Sequence, residues 1–279
     1  MIMREELENK VKRSIRLLQV FDNPECPVEI AYSGGKDSDV ILQLAKEAGI
    51  NYRAIYRNTT IDPPGTIKHV KEMGVEIVQP EMSFFQIIEK KGFPSRLARF
   101  CCEKLKEYKI LDKCVIGVRR EESSARAERY QEPTQCRLYG SKEQHVEQIY
   151  PILDWTTQDV AEFLQDRGIK CAPVYYDEKG CFHPERRLGC VGCPLSSNQL
   201  AEFEQYPKMV KAWLRAGQKR WNNASPETAM KKKYKNIYEV FVMSLFFNSE
   251  QAFFDTVRGG LFGDVDCKAF LEKRFGITL

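Results

Sequence analysis

A glycine-lysine turn, four paired cysteines and a run of arginines carry the chemistry that this 279-residue sequence offers. The turn lies in YSGGKDSDV, Tyr32 to Val40, between the short apolar run VEIAY and the segment DVILQLAKEAG. A strand, a glycine-rich turn and a helix in that order make an anion site, because backbone N–H groups and the positive end of the helix dipole converge on the turn. Gly34 and Gly35 let the backbone approach a ligand, Ser33 and Ser38 add hydroxyls, and Lys36 adds a positive charge. The spacing is that of neither the common nucleotide loop ending Gly-Lys-Ser/Thr nor Gly-x-Gly-x-x-Gly. An ordinary tight turn is the competing reading.

Cys101 and Cys102 stand side by side in RFCCEKLK, and Cys190 and Cys193 form a Cys-x-x-Cys pair in RRLGCVGCPLSS. Four soft thiolates suit a 4Fe-4S cluster or zinc. Adjacent cysteines serve a single tetrahedral zinc poorly, and the lack of histidine and the trailing Pro194 favour iron–sulfur. Zinc and unrelated buried cysteines remain the alternatives. Cys26, Cys114, Cys136, Cys171 and Cys181 share no metal spacing and read as small buried hydrophobes. His69, His145 and His183 are scattered, and no catalytic role is assigned to them. Arg119, Arg120 and Arg126 follow the strand-like KCVIGVRR, where α/β folds place ligand sites. Arginine clamps phosphate through parallel hydrogen bonds, and Ser123 and Ser124 add hydroxyls. Arg186 and Arg187 precede the Cys-x-x-Cys pair. Surface ion pairing with Glu121, Glu122 and Glu185 is the plainer role for these arginines.

The elements that must position these residues alternate. Leu7, Val11, Ile15 and Leu18 give the first twenty residues helical spacing. VEIAY, NYRAIYRN, VEIVQP and KCVIGVRR read as strands; DVILQLAKEAG, stopped by Gly49, TIKHVKEMG, FFQIIEKKG and TTQDVAEFLQDRG, capped by Thr156 or Thr157, read as helices. This alternation predicts an α/β fold, a Rossmann-like parallel sheet with helices on both faces, over residues 1–194, and a helical C-terminal region over 195–279. Hydrophobic residues make up 43% and charged residues 29%, which excludes a disordered chain, and a net charge of +4 does not by itself demand a nucleic-acid partner. VFVMSLFF is far shorter than the roughly 18 residues of a membrane helix. The N-terminal MIMREELENK lacks an apolar signal core, so a cytoplasmic protein with no membrane partner is expected, and in that compartment metal or redox chemistry explains ten cysteines better than disulfides do.

The loop resembles the Ser-Gly-Gly-x-Asp-Ser signature of the ATP pyrophosphatases. That resemblance implies that Ser33 to Ser38 grip the pyrophosphate end of ATP, that Asp37 organises Mg²⁺, and that the α phosphorus is attacked. The cysteine pattern, GVRREESSARAERY and YPILDWTTQDVAEFL resemble the phosphoadenosine phosphosulfate reductase family over residues 28–200. They are similar to the cluster-bearing reductases in which this pattern holds 4Fe-4S. IYRNTTIDPP sits where the family has a second nucleotide-side segment, which places Asp62 beside the nucleotide. The resemblance implies catalytic roles for Lys36, Asp37 and Arg119, and nucleotide contacts from Ser33, Gly34, Gly35, Ser38, Arg120, Ser123 and Arg126.

The chain departs from the sulfonucleotide reductases in two ways. Cys267 lacks the Glu-Cys-Gly-x-His surroundings of their C-terminal thiol and reads as structural, and the full Gly-Gly-Lys-Asp-Ser form favours ATP over a preformed sulfonucleotide. Relatives that combine such a loop with a cluster include tRNA thiolation enzymes and DNA phosphorothioation components. They imply a nucleic-acid acceptor, DNA or tRNA, and a sulfur-donor protein such as a cysteine desulfurase. MKKKYKNIY, Met230 to Tyr238, and SRLARF, Ser95 to Phe100, offer lysines and arginines beside aromatics for phosphates and bases, with a solvated helix face as the competing reading. A sulfonucleotide reductase and a non-catalytic nucleotide-binding regulator are the alternative functions.

Overall fold

The computed structural model describes residues 3–96, 98–139, 144–258 and 263–279. In chain order the first elements are α1 (Glu5–Val20), β1 (Val28–Ala31), α2 (Lys36–Ala48), β2 (Tyr52–Arg57), α3 (Thr66–Glu72), β3 (Glu76–Val78) and α4 (Phe84–Lys91). There follow α5 (Phe100–Leu105), β4 (Lys113–Val115), α6 (Ser124–Arg129), β5 (Thr134–Tyr139), β6 (Gln144–Ile149) and α7 (Thr157–Asp166). The remainder is helical: α8 (Gln199–Gln205), α9 (Pro207–Asn223), α10 (Ala229–Lys233), α11 (Ile237–Phe246), α12 (Glu250–Val257) and α13 (Cys267–Phe275). None of these helices is long and apolar enough to cross a membrane.

The chain forms two compact units. The first comprises Met1–Asn58, Asp62–Pro80 and Glu103–Gly189 and holds the whole sheet, in the order β3-β2-β1-β4-β6-β5. The first five strands in that order run parallel, as the alternation of strand and helix predicts. β5 departs from this and pairs antiparallel with β6, Thr134 opposite Ile149 through Tyr139 opposite Gln144. Only residues 140–143 separate these strands, too few for the crossover that a parallel pair needs.

Burial explains how the helices sit. Val28 and Ile30 of β1, Val115 of β4 and Ile149 of β6 join Leu7 and Val11 of α1, Ile41 and Leu44 of α2, and Val160 and Phe163 of α7 in one core. On α1 the buried positions are Leu7, Val11, Ser14 and Leu18. Ser14 takes the place expected of Ile15 because its hydroxyl donates to the Pro151 carbonyl at 2.5 Å. Thr156 caps α7 in a reciprocal box with Asp159, and Gly49 ends α2 at φ +67°. Glu29 points away from that core. Its buried carboxylate takes two hydrogen bonds from Arg57 and one from the Leu111 N–H, which offsets the cost of burying the charge.

The second unit comprises Thr59–Ile61, Glu81–Cys102 and Cys190–Leu279. Its core is aromatic. Trp213 packs on Phe84 and Phe203 with ring centroids 4.7 and 5.3 Å apart, and Phe93 packs on Phe241 at 4.9 Å.

Candidate active site

Strand order reverses across β1 and β4: β2 and β3 lie to one side of β1, and β4, β6 and β5 to the other. In open α/β sheets such a reversal leaves a crevice at the strands' carboxyl ends, where ligands bind. Both strands deliver chemistry there. After β1 comes the glycine turn, with Gly34 at φ +78° and α2 starting at Lys36. After β4 come Gly117 and Arg119. A Cβ on Gly117 would lie 3.1 Å from the Asp37 carbonyl oxygen, so glycine is what lets the two turns touch.

Asp37 is the meeting point. Arg119 Nε donates to its Oδ1 at 2.7 Å and Lys36 Nζ to its Oδ2 at 2.9 Å. Both cations are almost wholly buried, with Lys36 3% and Arg119 2% exposed. Arg119 also donates to Glu121 at 2.9 Å and to the Thr157 hydroxyl at 3.2 Å, which fixes its guanidinium. Burial pushes the Glu121 carboxyl up, but hydrogen bonds from Thr157 and Arg119 outweigh it and hold the group below its ordinary value. Burial pushes the Tyr175 phenol up, so it stays protonated, and its oxygen accepts the Lys36 N–H at 3.2 Å. Ser38 turns its hydroxyl to the Gly35 carbonyl at 2.7 Å, and Ser33 is exposed at the mouth of the turn.

The other expected nucleotide contacts have partners of their own. Asp62 follows β2 and accepts a hydrogen bond from the Tyr56 hydroxyl. Ser123 caps α6 by accepting the Arg126 N–H at 3.2 Å. Arg126 pairs with Glu122, and burial with the neighbouring Arg187 lowers its pKa. Arg187 reaches the same Glu122 at 3.2 Å, so the ion pairing weighed for these arginines is present. Glu185 instead pairs with His183. Arg120 is spent otherwise: its guanidinium donates to the carbonyls of Tyr130 and Gln131 and to Asp154, which holds the turn after β4 in place.

One part of the site has no sequence signal behind it. Asp39, on the first turn of α2, is fully buried and takes a hydrogen bond from the Tyr32 hydroxyl. His69 Nε2 of α3 lies 2.9 Å from Asp39 Oδ1 and 3.0 Å from the Tyr32 oxygen. Burial pushes the Asp39 carboxyl up, and hydrogen bonds to His69 and Tyr32 oppose it. This network fastens α3 to the first turn of α2, beneath the glycine turn.

The four paired cysteines all belong to the second unit. Hydrogen bonding to Cys102, burial, and the charges of Cys102, Cys190 and Cys193 together push the Cys101 thiol up. The Cys-x-x-Cys turn is tightly held: the Cys193 N–H donates to the Cys190 carbonyl, the Gly192 N–H to Glu202 at 2.8 Å, and the Val191 N–H to the Ile61 carbonyl. No group of three or more potential ligands among the described residues reaches metal-binding geometry. The donor set still fits a cationic iron–sulfur centre: four half-buried thiols of soft sulfur, whose charge as thiolates a metal would compensate. All ten cysteines are thiols. Of those expected to be buried hydrophobes, Cys114 and Cys171 are, whereas Cys26, Cys136 and Cys181 are exposed, because each lies on a loop or an edge strand. Cys267 is buried at the start of α13, and burial pushes its thiol up to about 11.

Comparison with known proteins gives the family. A sequence model of the phosphoadenosine phosphosulfate reductase domain matches residues 27–196. An uncharacterised protein of Methanocaldococcus jannaschii is 29% identical over 76% of this chain and 53% of its own length. Sulfate adenylyltransferase subunit 2 of Shewanella pealeana is 26% identical over 57% of this chain and 62% of its own. The chain thus spans about half the length of the first of these relatives and under two thirds of the second. Among solved structures, the U34-tRNA thiolase of Methanococcus maripaludis with its [4Fe-4S] cluster aligns with a TM-score of 0.41 at 16% identity, over 80% of this chain and 84% of that one. The matched segment runs through the glycine turn, Arg119 and all four paired cysteines, and the chain belongs to the phosphoadenosine phosphosulfate reductase domain family.

Proposed function

We propose that the chain is an ATP pyrophosphatase-type enzyme that transfers an adenylyl group to an acceptor, a nucleic acid, to prepare it for sulfur incorporation. The observation that carries this reading is the convergence of buried Lys36 and Arg119 on Asp37 at the start of α2, where a nucleotide's phosphates would sit. The turn grips the β and γ phosphates through backbone N–H groups, Ser33 and Ser38. Lys36 and Arg119 turn from Asp37 onto phosphate oxygens and neutralise charge as it develops. An acceptor oxygen attacks the α phosphorus, the bond from that phosphorus to the α–β bridging oxygen breaks, and its electron pair leaves on pyrophosphate. Asp37 and Asp62 would be the carboxylates for Mg²⁺, which would supply charge neutralisation between phosphates. Both Asp37 oxygens are engaged by Arg119 and Lys36. Cys101, Cys102, Cys190 and Cys193 would hold a 4Fe-4S cluster, which supplies a centre for binding or passing on sulfur. A sulfur-donor protein is the implied partner. Cys267 is buried and burial pushes its thiol up, which counts against it as the nucleophile of a reductase.

The test is product analysis. Anaerobically purified protein is given α-labelled ATP and Mg²⁺, with and without DNA or tRNA. AMP or an adenylylated acceptor, together with pyrophosphate, is the expected result. Intact ATP alongside tight binding of adenylyl sulfate would overturn the proposal in favour of a sulfonucleotide reductase.

A further inference from the structure

The second unit carries a pocket of about 520 Å³ that the phosphate chemistry above does not use. It is lined by Trp221, Pro226, Tyr234, Lys231 to Lys233, Lys235 and Arg258. Its size falls in the roughly 300–1,000 Å³ range of pockets that hold small ligands. Five cations and two aromatic rings share one concave surface, which is the composition that binds a phosphate and stacks a base.

The present partners of these cations are replaceable. Lys232 pairs with Glu227 at 2.5 Å and Lys233 with Glu250 at 2.6 Å, each through exposed side chains, and exposed pairs hold weakly. Lys231 lies 5.8 Å from the centre of the Trp221 ring, a cation–π contact of the same modest order. Arg258 pairs with Glu239, yet its Nε is a buried donor with no acceptor among the described residues. A buried donor left unmet is costly, and Arg258 lines the pocket that a phosphate would enter.

We propose that this pocket binds one nucleotide of a single-stranded nucleic acid, with its phosphate on Lys231, Lys232 and Arg258 and its base on Trp221. This rests on the reading that the acceptor is a nucleic acid. An acidic peptide would use the lysines but gain nothing from the rings.

The experiment is anisotropy of short labelled single-stranded oligonucleotides over a salt series, with tryptophan emission followed in parallel. Wild-type protein binds and its emission is quenched. K231A/K232A, which alters only side chains at the pocket rim, weakens binding about tenfold and flattens the log affinity–log salt slope by about 1.4, roughly 0.7 for each lost phosphate contact. W221A costs about tenfold through lost stacking. Unchanged affinity and slope in K231A/K232A would overturn the pocket and leave the acceptor reading standing. Equal competition by poly-glutamate would overturn it in favour of an acidic protein. No oligonucleotide binding by wild type would overturn both the pocket and the nucleic-acid acceptor. Pyrophosphate release from ATP, measured on the same sample, then decides separately whether the glycine turn does what is proposed.

Discussion

Gly34 and Gly192 share a backbone angle, φ +78°, in two loops built on opposite principles. Around Gly34 the packing is close but less severe: an added Cβ would meet the Thr66 methyl at 3.0 Å, then Val70 at 3.6 Å. That loop is organised by charge, with Lys36 and Arg119 drawn onto Asp37. Gly192, between Cys190 and Cys193, has no slack: its Cβ would stand 2.2 Å from the Phe203 ring. That loop is organised by packing, tethered to α8 through Glu202 and Gln199. A loop that must yield its space to a ligand keeps more room and uses charge. A loop that must hold sulfurs at fixed positions gives up room for rigidity.

The sharpest break in this comparison comes from removing the chemistry of each loop in turn. Asp37→Ala should lower ATP turnover by at least about 10²–10³-fold, the order seen when one preorganised charge-stabilising group is lost. Its iron content should stay near that of the wild type, while its thermal midpoint should fall, because buried Lys36 and Arg119 lose their shared counter-charge. Cys193→Ser should lose its iron while still binding ATP. Iron analysis and nucleotide titration on both variants decide the point, and joint loss of both properties in either one would show that the loops are not independent.

The next effect is on stability. Gly192→Ala should destabilise the second unit by about 3 kcal/mol, from roughly 1–2 for an L-residue in the left-handed region and roughly 1–3 for overpacking against Phe203. Gly34→Ala carries the first of these costs and a smaller steric one, because its Cβ would stand 3.0 Å from the buried Thr66 methyl, farther than the 2.2 Å at Phe203. Denaturant unfolding should therefore rank Gly192→Ala as the weaker fold and Gly34→Ala as the weaker nucleotide binder. The reverse order would mean that Phe203 moves aside easily.

How much of this could be read from the sequence follows the same divide. The glycine turn was legible because its parts are consecutive residues and its flanking strand and helix carry clear periodicity. Arg119 was legible because it follows a strand. Nothing in the sequence marks Asp39 and His69 as partners: they sit on different helices, and each falls at an ordinary helical position. Nor does composition distinguish Arg120, whose fork is used up on two backbone carbonyls and Asp154, from an arginine that clamps phosphate. The pair of β5 and β6 was hidden by its polarity, since Thr134–Tyr139 exposes three of its six residues and buries only Tyr139. The gathering of Glu81–Cys102 with Cys190–Leu279 rests on contacts such as Phe84 with Trp213, which lie far apart in the chain and leave no local pattern.

The smallest effect separates the two units by pH. Asp159 of α7 is buried, and Lys10 and Arg4 reach it from the α1 end of the chain at 2.7 and 2.8 Å, with the Thr156 N–H at 2.8 Å. Burial pushes its carboxyl up, but the hydrogen bonds from Lys10 and Thr156 outweigh this and hold it below the ordinary 3.8. A depressed carboxyl stabilises the fold fully above its unfolded value and loses that contribution as pH falls through the folded value. Asp159→Asn should therefore cost about 2 kcal/mol at neutral pH, the order of a charge-assisted hydrogen bond. The gap between variant and wild type should close as pH drops below about 4. Hydrogen exchange followed across that range should show α1 and α7 losing protection in the variant at neutral pH, while α9 and α13, whose unit is held by rings, keep theirs. A neutral-pH loss spread equally over both units would show that the tie from Asp159 to Lys10 and Arg4 supports the whole chain, not the sheet unit alone.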